Sequence, residues 1–84
     1  MWLHLQVYVA HLDPRASEED VRAMFSPFGP VLNVRIIVDR ETGQSKGYGF
    51  VTMSAPGQAQ AAITGLNGYK MGEKTLTVKM AGNR

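Results

Sequence analysis

Apolar and polar residues follow two periods along the chain and divide it into six segments. Four stretches alternate as half-buried strands do, and two repeat apolar residues at the three- and four-residue spacing of a helix. The predicted strands cover residues 5–10, 31–39, 46–53 and 75–80, and the predicted helices begin after residues 17 and 54. The order is therefore strand, helix, strand, strand, helix, strand.

Both predicted helices begin at a serine. Ser17 is the predicted N-cap of the first helix, and Ser54 is the predicted cap of the second, with Pro56 in the first turn where its missing N–H does no harm. Pro27, Gly29 and Pro30 end the first helix, and Asn67 with Gly68 ends the second. The apolar positions predicted to face the sheet are Val21, Met24, Phe25 and Phe28 in the first helix and Ala59, Ala62, Ile63 and Leu66 in the second.

This order of elements predicts an α+β fold of the ferredoxin-like type. In such a βαββαβ sandwich, two helices cover one face of a four-stranded antiparallel sheet. The other face of the sheet stays uncovered, and it is called the open face below. A chain of 84 residues is long enough for one core. We expect a single domain over residues 1–84, with its core over about residues 5–81 and the start of a tail beyond it.

The third predicted strand carries its aromatic residues on the polar side. By alternation, Tyr48 and Phe50 share a face with Lys46, while Val51 and Met53 face the core. Leaving two flat rings in water beside a cation is costly unless something stacks on them. Nucleic-acid bases do so, and each stack contributes about 1–3 kcal/mol.

The other three strands place residues on the same open face. An aromatic residue again lies on the polar side of the first strand, because Tyr8 alternates with the apolar Val7 and Val9. The residues predicted to share the open face with Tyr48 and Phe50 are Gln6, Tyr8 and Ala10 from the first strand, Asn33, Arg35 and Ile37 from the second, and Thr77 and Lys79 from the last.

Two stretches resemble the signatures of the RNA-recognition motif (RRM) family. Residues 46–53, KGYGFVTM, resemble the family octamer Lys/Arg-Gly-Phe/Tyr-Gly/Ala-Phe-Val-x-Phe/Tyr, except that Met53 replaces the final aromatic on the core face. Residues 7–12, VYVAHL, resemble the family's hexamer on the first strand, whose second position is aromatic. His11 stands where the family usually has Asn or Gly, and it is either a loop residue or a contact.

The resemblance implies that the two signature strands are neighbours at the centre of the sheet. Tyr8, Tyr48 and Phe50 would then form one exposed surface, called the aromatic platform below, on which roughly two or three bases of single-stranded RNA stack. Lys46, Arg35 and Lys79 would lie near the phosphates. The candidate RNA-binding residues are Gln6, Tyr8, Arg35, Ile37, Lys46, Tyr48, Phe50 and Lys79.

The resemblance also implies a cellular context. Domains of this family usually occur in longer proteins that handle pre-mRNA or mRNA, including splicing proteins, in the nucleus, the cytoplasm or both. Residues 45–48, SKGY, and 66–68, LNG, are similar to RRMs of uridine- and pyrimidine-tract binders. A pyrimidine-rich RNA is therefore an expected partner.

Composition argues against other classes of function. The absence of cysteine excludes disulfides and thiolate metal sites, and a net charge of +2 permits a polyanionic partner without requiring one. We expect no catalytic residue, no cofactor and no metal, because the sequence contains neither a metal-ligand cluster nor a phosphate-binding loop. Residues 1–10 lack a basic leader and are too short to span a bilayer, so we expect no signal peptide and no membrane helix.

A protein-binding module remains the alternative, through the helical face. RRM-like domains that capture a tryptophan ligand resemble each other in an Arg-x-Phe loop and in loss of the sheet aromatics, whereas residues 69–72 read YKMG and all three aromatics are present. Glu18, Glu19 and Asp20 form either an acidic patch for a basic partner or a capped helix start. Arg40, in the loop of residues 39–45, is either a solvated charge or a residue that reaches over a ligand.

Overall fold

The computed structural model of the chain describes residues 5–81. The predicted domain boundaries, residues 1 and 84, lie outside the described residues. The predicted tail beyond residue 81 lies outside them as well. The elements follow the predicted order: β1 (Gln6–Ala10), α1 (Glu18–Phe25), a 3-10 helix (Ser26–Phe28), β2 (Val31–Val38), β3 (Ser45–Met53), α2 (Pro56–Leu66), β4 (Lys70–Met71), β5 (Lys74–Thr75) and β6 (Thr77–Met80).

Four strands form one antiparallel sheet in the order β2-β3-β1-β6, and β4 pairs with β5 in a separate two-stranded ribbon. The strands that carry the two signatures, β1 and β3, are therefore central neighbours. Both helices pack on one face of this sheet, because their apolar residues share one buried cluster with the inward residues of the strands. The ferredoxin-like α+β fold predicted from the sequence is confirmed.

The core lies between the helices and the inward residues of the central strands. Val51 and Met53 of β3 are fully buried, as predicted, in contact with a cluster that includes Val21 and Phe25 of α1. The small residues Ala59 and Ala62 of α2 are also fully buried, so α2 packs close to the sheet. Met53, which departs from the family octamer, therefore fills the core and does not reach the open face.

The start of α1 follows the prediction. The Ser17 hydroxyl accepts a hydrogen bond from the backbone N–H of Asp20 at 3.1 Å, and the Asp20 carboxylate accepts one from the backbone N–H of Ser17 at 2.9 Å. This capping box satisfies two donors that a helix start otherwise leaves free. Regular α-helix ends at Phe25, and Phe28 packs against the core from the 3-10 turn that contains Pro27.

The predicted cap of α2 is wrong by one residue. Pro56 occupies the first helical position, so the N-cap is Ala55, which has an extended backbone and makes no side-chain cap bond. Ser54 lies one residue too early to reach the free N–H groups, and its hydroxyl donates instead to the side-chain oxygen of Gln58. Helix capping depends on position within a single residue, which a serine near a proline does not settle.

The predicted last strand is divided in two. Thr75 pairs with Lys70 in the ribbon, and β6 begins only at Thr77. Between them, the N–H of Leu76 donates to the carbonyl of Tyr69, and the carbonyl of Leu76 accepts from Gly68, both at 2.9 Å. These bonds pull Leu76 away from the sheet ladder, although its side chain is buried, as its alternation with the outward Thr77 predicts.

The pairing of β2 with β3 is irregular at two places. The register shifts between Val31 and Asn33 and again between Ile36 and Val38. Gly49 lies opposite Ile36, next to the second shift, and a Cβ added there would collide with the backbone carbonyl oxygen of Arg35. Glycine at position 49 therefore permits the close approach of two backbones.

Candidate functional site

One row of residues runs across all four strands of the open face. Arg35 of β2 lies opposite Phe50 of β3, Phe50 lies opposite Tyr8 of β1, and Tyr8 lies opposite Lys79 of β6. Side chains at directly opposed positions are neighbours on the same face. The row therefore reads cation, ring, ring, cation.

The third ring comes from the next row along the strands. Tyr48 lies opposite Ala10, which in turn lies opposite Thr77. Ala10 has the predicted open-face register, but it is buried. Its small side chain lies below the level of the larger side chains that flank it, so solvent does not reach it. Tyr48 consequently extends the pair formed by Tyr8 and Phe50 along the sheet.

The aromatic platform is a cluster of mutually contacting rings. The centroid of Tyr8 is 5.9 Å from that of Tyr48 and 5.7 Å from that of Phe50, and the other two centroids are 6.4 Å apart. The ring planes meet at 41°, 55° and 87°, so no two rings stack face to face. All three residues are half-buried. The arrangement presents π surface to solvent on the face opposite the helices.

Lys79 covers part of this surface. Its ammonium nitrogen lies 5.5 Å from the centroid of the Tyr8 ring, within the range of a cation–π contact. Such contacts contribute about 0.5–1 kcal/mol at exposed sites. A flat ligand that stacked on this side of Tyr8 would have to displace the lysine, whose charge would then be available to the ligand.

Three cations lie at the open face, and three acids lie in the first turn of α1 on the helical side. Arg35, Lys46 and Lys79 are all exposed, and the residues paired in register with Arg35 and Lys79 include no aspartate or glutamate. The first turn of α1, on the other side of the sheet, contains Glu18, Glu19 and Asp20. This separation of charge favours an anion at the open face.

The two remaining predicted site residues lie at opposite ends of the platform. Gln6 is exposed at the start of β1, opposite Thr52. Ile37 is half-buried in the irregular part of β2, between Ile36 and Val38. The structure thus brings the predicted rings and cations into one row and its neighbours, while Gln6 and Ile37 border them.

A groove continues from the platform past the end of β1. It encloses about 310 Å³ and is lined by Lys46, Tyr8 and Tyr48, and also by His11, Ser45 and Lys74, which the sequence did not indicate as a group. We call it the end groove. The family's preference for Asn or Gly at the position of His11 is the one sequence signal for it, since those residues tolerate a positive φ.

The backbone of His11 has the conformation that this signal implies. Its φ is +66°, and among residues 5–81 it is the one non-glycine residue with positive φ. The ring nitrogen Nδ1 lies 3.1 Å from the hydroxyl oxygen of Thr77, so β6 holds the imidazole in place. His11 is exposed at the rim of the end groove.

An acidic residue lies close to Lys74. The backbone N–H of Arg15 donates to the Asp13 carboxylate at 2.8 Å and holds the pKa of that carboxyl below its usual value, while the charges of Arg15 and Lys74 act in the same direction. Burial acts against them and is the second-largest influence on this pKa, after the backbone hydrogen bond. Asp13 does not itself line the end groove.

The loop between β2 and β3 is closed by its own hydrogen bonds. The Asp39 carboxylate accepts from the N–H groups of Glu41 at 2.8 Å and Thr42 at 3.1 Å, and the Asp39 carbonyl accepts from Gly43 at 2.8 Å. The backbone is therefore committed to a turn. Arg40 is exposed in this loop. If it contacts a ligand, it must do so through its side chain, because the loop backbone is held in the turn.

The described residues contain neither a candidate metal site nor a candidate membrane-crossing helix. Within residues 5–81, no three His, Cys, Asp or Glu side chains come together in a way that could hold a metal ion. In the same part of the chain, neither helix is long and apolar enough to cross a membrane.

Comparison with known proteins identifies a family and finds the same fold elsewhere. The family model for the RNA recognition motif matches residues 7–77. The crystal structure of the RNA-binding protein PG1 superposes with a TM-score of 0.90 at 39% identity over 95% of this chain and 96% of that one. The RRM of Rna15 with bound RNA (GU) superposes with a TM-score of 0.84 at 32% identity over 93% and 83%. RNA recognition domains 1 and 2 of Sex-lethal from Drosophila melanogaster match with a TM-score of 0.89 at 33% identity over 94% and 50%.

Proposed function

Because the chain belongs to the RNA recognition motif family, we propose that it is a module that binds single-stranded RNA by stacking bases on Tyr8, Tyr48 and Phe50. The family consists of RNA-binding domains that are generally not enzymes, and we assign the chain no catalytic step. The observation that carries the proposal is the row Arg35, Phe50, Tyr8, Lys79, in which two rings lie between two cations.

The energetics of the row suit a single strand. Each base stacked on a ring contributes about 1–3 kcal/mol, and stacking is available only to bases that are not already paired in a duplex. We propose that the phosphates of a strand crossing the sheet pass beside the cations on either side. Lys46, at the start of β3, adds a third charge beside Tyr48.

The class of RNA is a second part of the proposal. A pyrimidine-rich strand is proposed from the tetrad at residues 45–48 and the triad at residues 66–68. The Rna15 RRM, at 32% identity, has been solved with bound RNA (GU), which supports a strand that contains uridine and also admits guanosine. Preference for RNA over DNA would come from contacts to the 2′-hydroxyl groups.

The process served is also a proposal. Modules of this family usually act within longer proteins, and we propose that this one serves pre-mRNA or mRNA processing, such as splicing, in the nucleus, the cytoplasm or both. Gln6 and Ile37 are proposed to contact RNA at the two ends of the platform, where the bound strand would enter and leave the sheet.

The test is a titration with short homopolymeric RNAs and matched DNAs, followed by residue-resolved backbone amide shifts. We expect saturable binding that is tighter for oligouridylate or oligocytidylate than for purine strands and tighter for RNA than for DNA. The shifts should concentrate on β1 and β3, around Tyr8, Tyr48 and Phe50. Shifts confined to the helices, or no binding to any single strand, would contradict the proposal.

A protein-binding module is the second candidate. The observation that favours it is an apolar groove of about 500 Å³ on the helical side, where Met24, Phe28 and Leu66 meet the half-exposed ring of Tyr69. A partner would insert an apolar side chain there. Addition of such a partner would shift the amides of these residues and leave those of Tyr8 and Phe50 unchanged, which separates the two candidates.

A further inference from the structure

Bases stacked on the aromatic platform would leave the end groove empty. Tyr8 and Tyr48 form one wall that it shares with the platform, and the polar side chains of His11, Ser45, Lys46 and Lys74 also line it. The groove holds about 310 Å³, which is room for a small polar group and the edge of a base. A strand that left the platform at Tyr48 would pass directly into it.

We propose that the end groove binds one further nucleotide of the same RNA, with its phosphate between Lys46 and Lys74 and its base edge against His11. This inference rests on the proposed RNA-binding function, and it adds a subsite next to the rings. In this subsite, the two lysines attract the phosphate backbone of the RNA, and the histidine distinguishes one base from another.

The two lysines suit a phosphate because they approach the groove from different strands. Lys46 belongs to β3 and Lys74 to β5. Within residues 5–81, the one ion pair closer than 4.0 Å joins Arg15 to Asp13, so no described carboxylate neutralises either lysine at that distance. Asp13, whose pKa the charge of Lys74 helps to lower, lies outside the groove lining. Two ammonium groups at one groove, neither in a close ion pair with a described carboxylate, attract a phosphate.

His11 suits a base edge because the fold holds its ring at the rim of the groove. Its φ is +66°, in the left-handed region that histidine adopts more often than most residues with a side chain. The contact with Thr77 engages one ring nitrogen at 3.1 Å. The second nitrogen is left to donate to, or accept from, the edge of a base.

Phosphate and base contacts have different consequences. A lysine that contacts a phosphate strengthens binding of every sequence and makes binding more sensitive to salt, while a side chain that contacts a base edge changes which base is preferred. Lys74 and His11 can therefore be tested by separate measurements. Neither belongs to the aromatic platform, so both substitutions leave the stacking rings unchanged.

The first experiment measures the affinity of oligouridylates lengthened one nucleotide at a time. Affinity of the unmodified protein should rise again when the strand grows one nucleotide beyond the length that fills the platform. Lys74→Ala should remove that last rise, about three- to fivefold, the size expected for one solvent-exposed charge pair. The slope of log affinity against log salt should fall by about 0.7.

The matched control is Lys70→Ala. Lys70 is an exposed lysine of the same ribbon, on β4, but it does not line the end groove. It removes the same charge from the protein, so a purely long-range electrostatic effect would be equal in both variants. Equal losses for Lys70→Ala and Lys74→Ala would overturn the phosphate contact.

The second experiment varies the base at the end of the strand that occupies the groove. His11→Asn keeps a residue that tolerates positive φ but changes the pattern of donors and acceptors. It should change the ranking of the four bases at that one position and leave the ranking at the platform positions unchanged. An unchanged ranking would overturn the base contact.

The outcomes separate this inference from the proposed function. If Tyr48→Ala weakens binding while Lys74→Ala and His11→Asn have no effect, the platform binds RNA and the subsite is wrong. If the unmodified protein binds none of the oligonucleotides, the proposed function fails and the subsite fails with it. Amide spectra of each variant establish that the fold is retained.

Discussion

The two faces of β3 differ in burial and in the kind of side chain that they carry. Val51 and Met53 point toward the helices and are fully buried, and Gly49 is buried against the backbone of β2. Tyr48 and Phe50 alternate with them and are half-buried on the open face. Residues that are neighbours in the chain thus have opposite surroundings, so stability and binding are divided between alternate positions of one strand.

The difference has a physical basis that predicts how substitutions act. An inward side chain is surrounded by protein on all sides, and removing it leaves a cavity that the close-packed core does not refill. An outward ring keeps contact with solvent, so its removal leaves no enclosed cavity and instead removes a surface on which a base can stack. Inward substitutions should therefore change the free energy of unfolding, and outward ones the affinity for RNA.

The largest effect is expected for Met53→Ala. Because Met53 is fully buried, the substitution should lower the free energy of unfolding by about 2–5 kcal/mol, measured by chemical denaturation. Thr52→Ala, on the half-buried outward side of the same strand, is the control and should have a much smaller effect. A value for Met53→Ala within about 0.5 kcal/mol of the parent would place residue 53 outside the core.

Gly49→Ala tests the close approach of β3 to β2 by addition of one methyl group. The added Cβ would collide with the Arg35 carbonyl, so β2 must shift, and we expect a loss of about 1–3 kcal/mol in the free energy of unfolding. Gly57→Ala is the matched control, because a Cβ there has nothing within 4 Å. It should be neutral or stabilising in the helix. Equal tolerance of both substitutions would mean that β2 and β3 are less closely apposed.

Tyr48→Ala tests the outward face. Loss of one stacking ring should weaken single-stranded RNA binding by about 1–3 kcal/mol, measured by fluorescence anisotropy, with little change in the denaturation midpoint. Tyr48→Phe keeps the ring and should keep most of the affinity. If Tyr48→Phe were as weak as Tyr48→Ala, the hydroxyl group and not the ring surface would carry the interaction.

Lys46→Ala should have the smallest effect on affinity and the clearest effect on salt dependence. Loss of one phosphate contact should make the slope of log affinity against log salt shallower by about 0.7, whereas Tyr48→Ala should lower affinity at every salt concentration without changing the slope. Titrations at several salt concentrations measure both. A slope changed equally by the two variants would contradict the division between charge and stacking.

Most of the fold follows from periodicity because strand alternation and helix spacing report burial directly. The inward positions of β3 and the capping box at Ser17 are confirmed, since each depends on residues close in sequence. The central pairing of β1 with β3 required the family resemblance, because strand order involves residues far apart in the chain. The RNA-contacting role of the eight candidate residues stays a prediction.

The features that the sequence did not indicate depend on the approach of distant backbones. The irregular pairing of β2, the collision that requires Gly49 and the diversion of Leu76 all arise where two segments meet at a distance set by the rest of the fold. The end groove arises in the same way, since His11 and Lys74 are brought together only by the ribbon and β6. Patterns of neighbouring residues in the sequence contain no information about contacts between segments that are far apart in the chain.

The most direct test compares two adjacent residues, Phe50 and Val51, in both properties. Phe50→Ala and Val51→Ala would each be measured for free energy of unfolding and for affinity to the same oligouridylate under conditions where both are folded. We expect Phe50→Ala to lose about 1–3 kcal/mol of binding with nearly unchanged stability. Val51→Ala should lose about 2 kcal/mol of stability, from two buried methyl groups and the cavity they leave, with nearly unchanged binding. Parallel losses of stability and affinity in both variants would contradict the separation of the two faces.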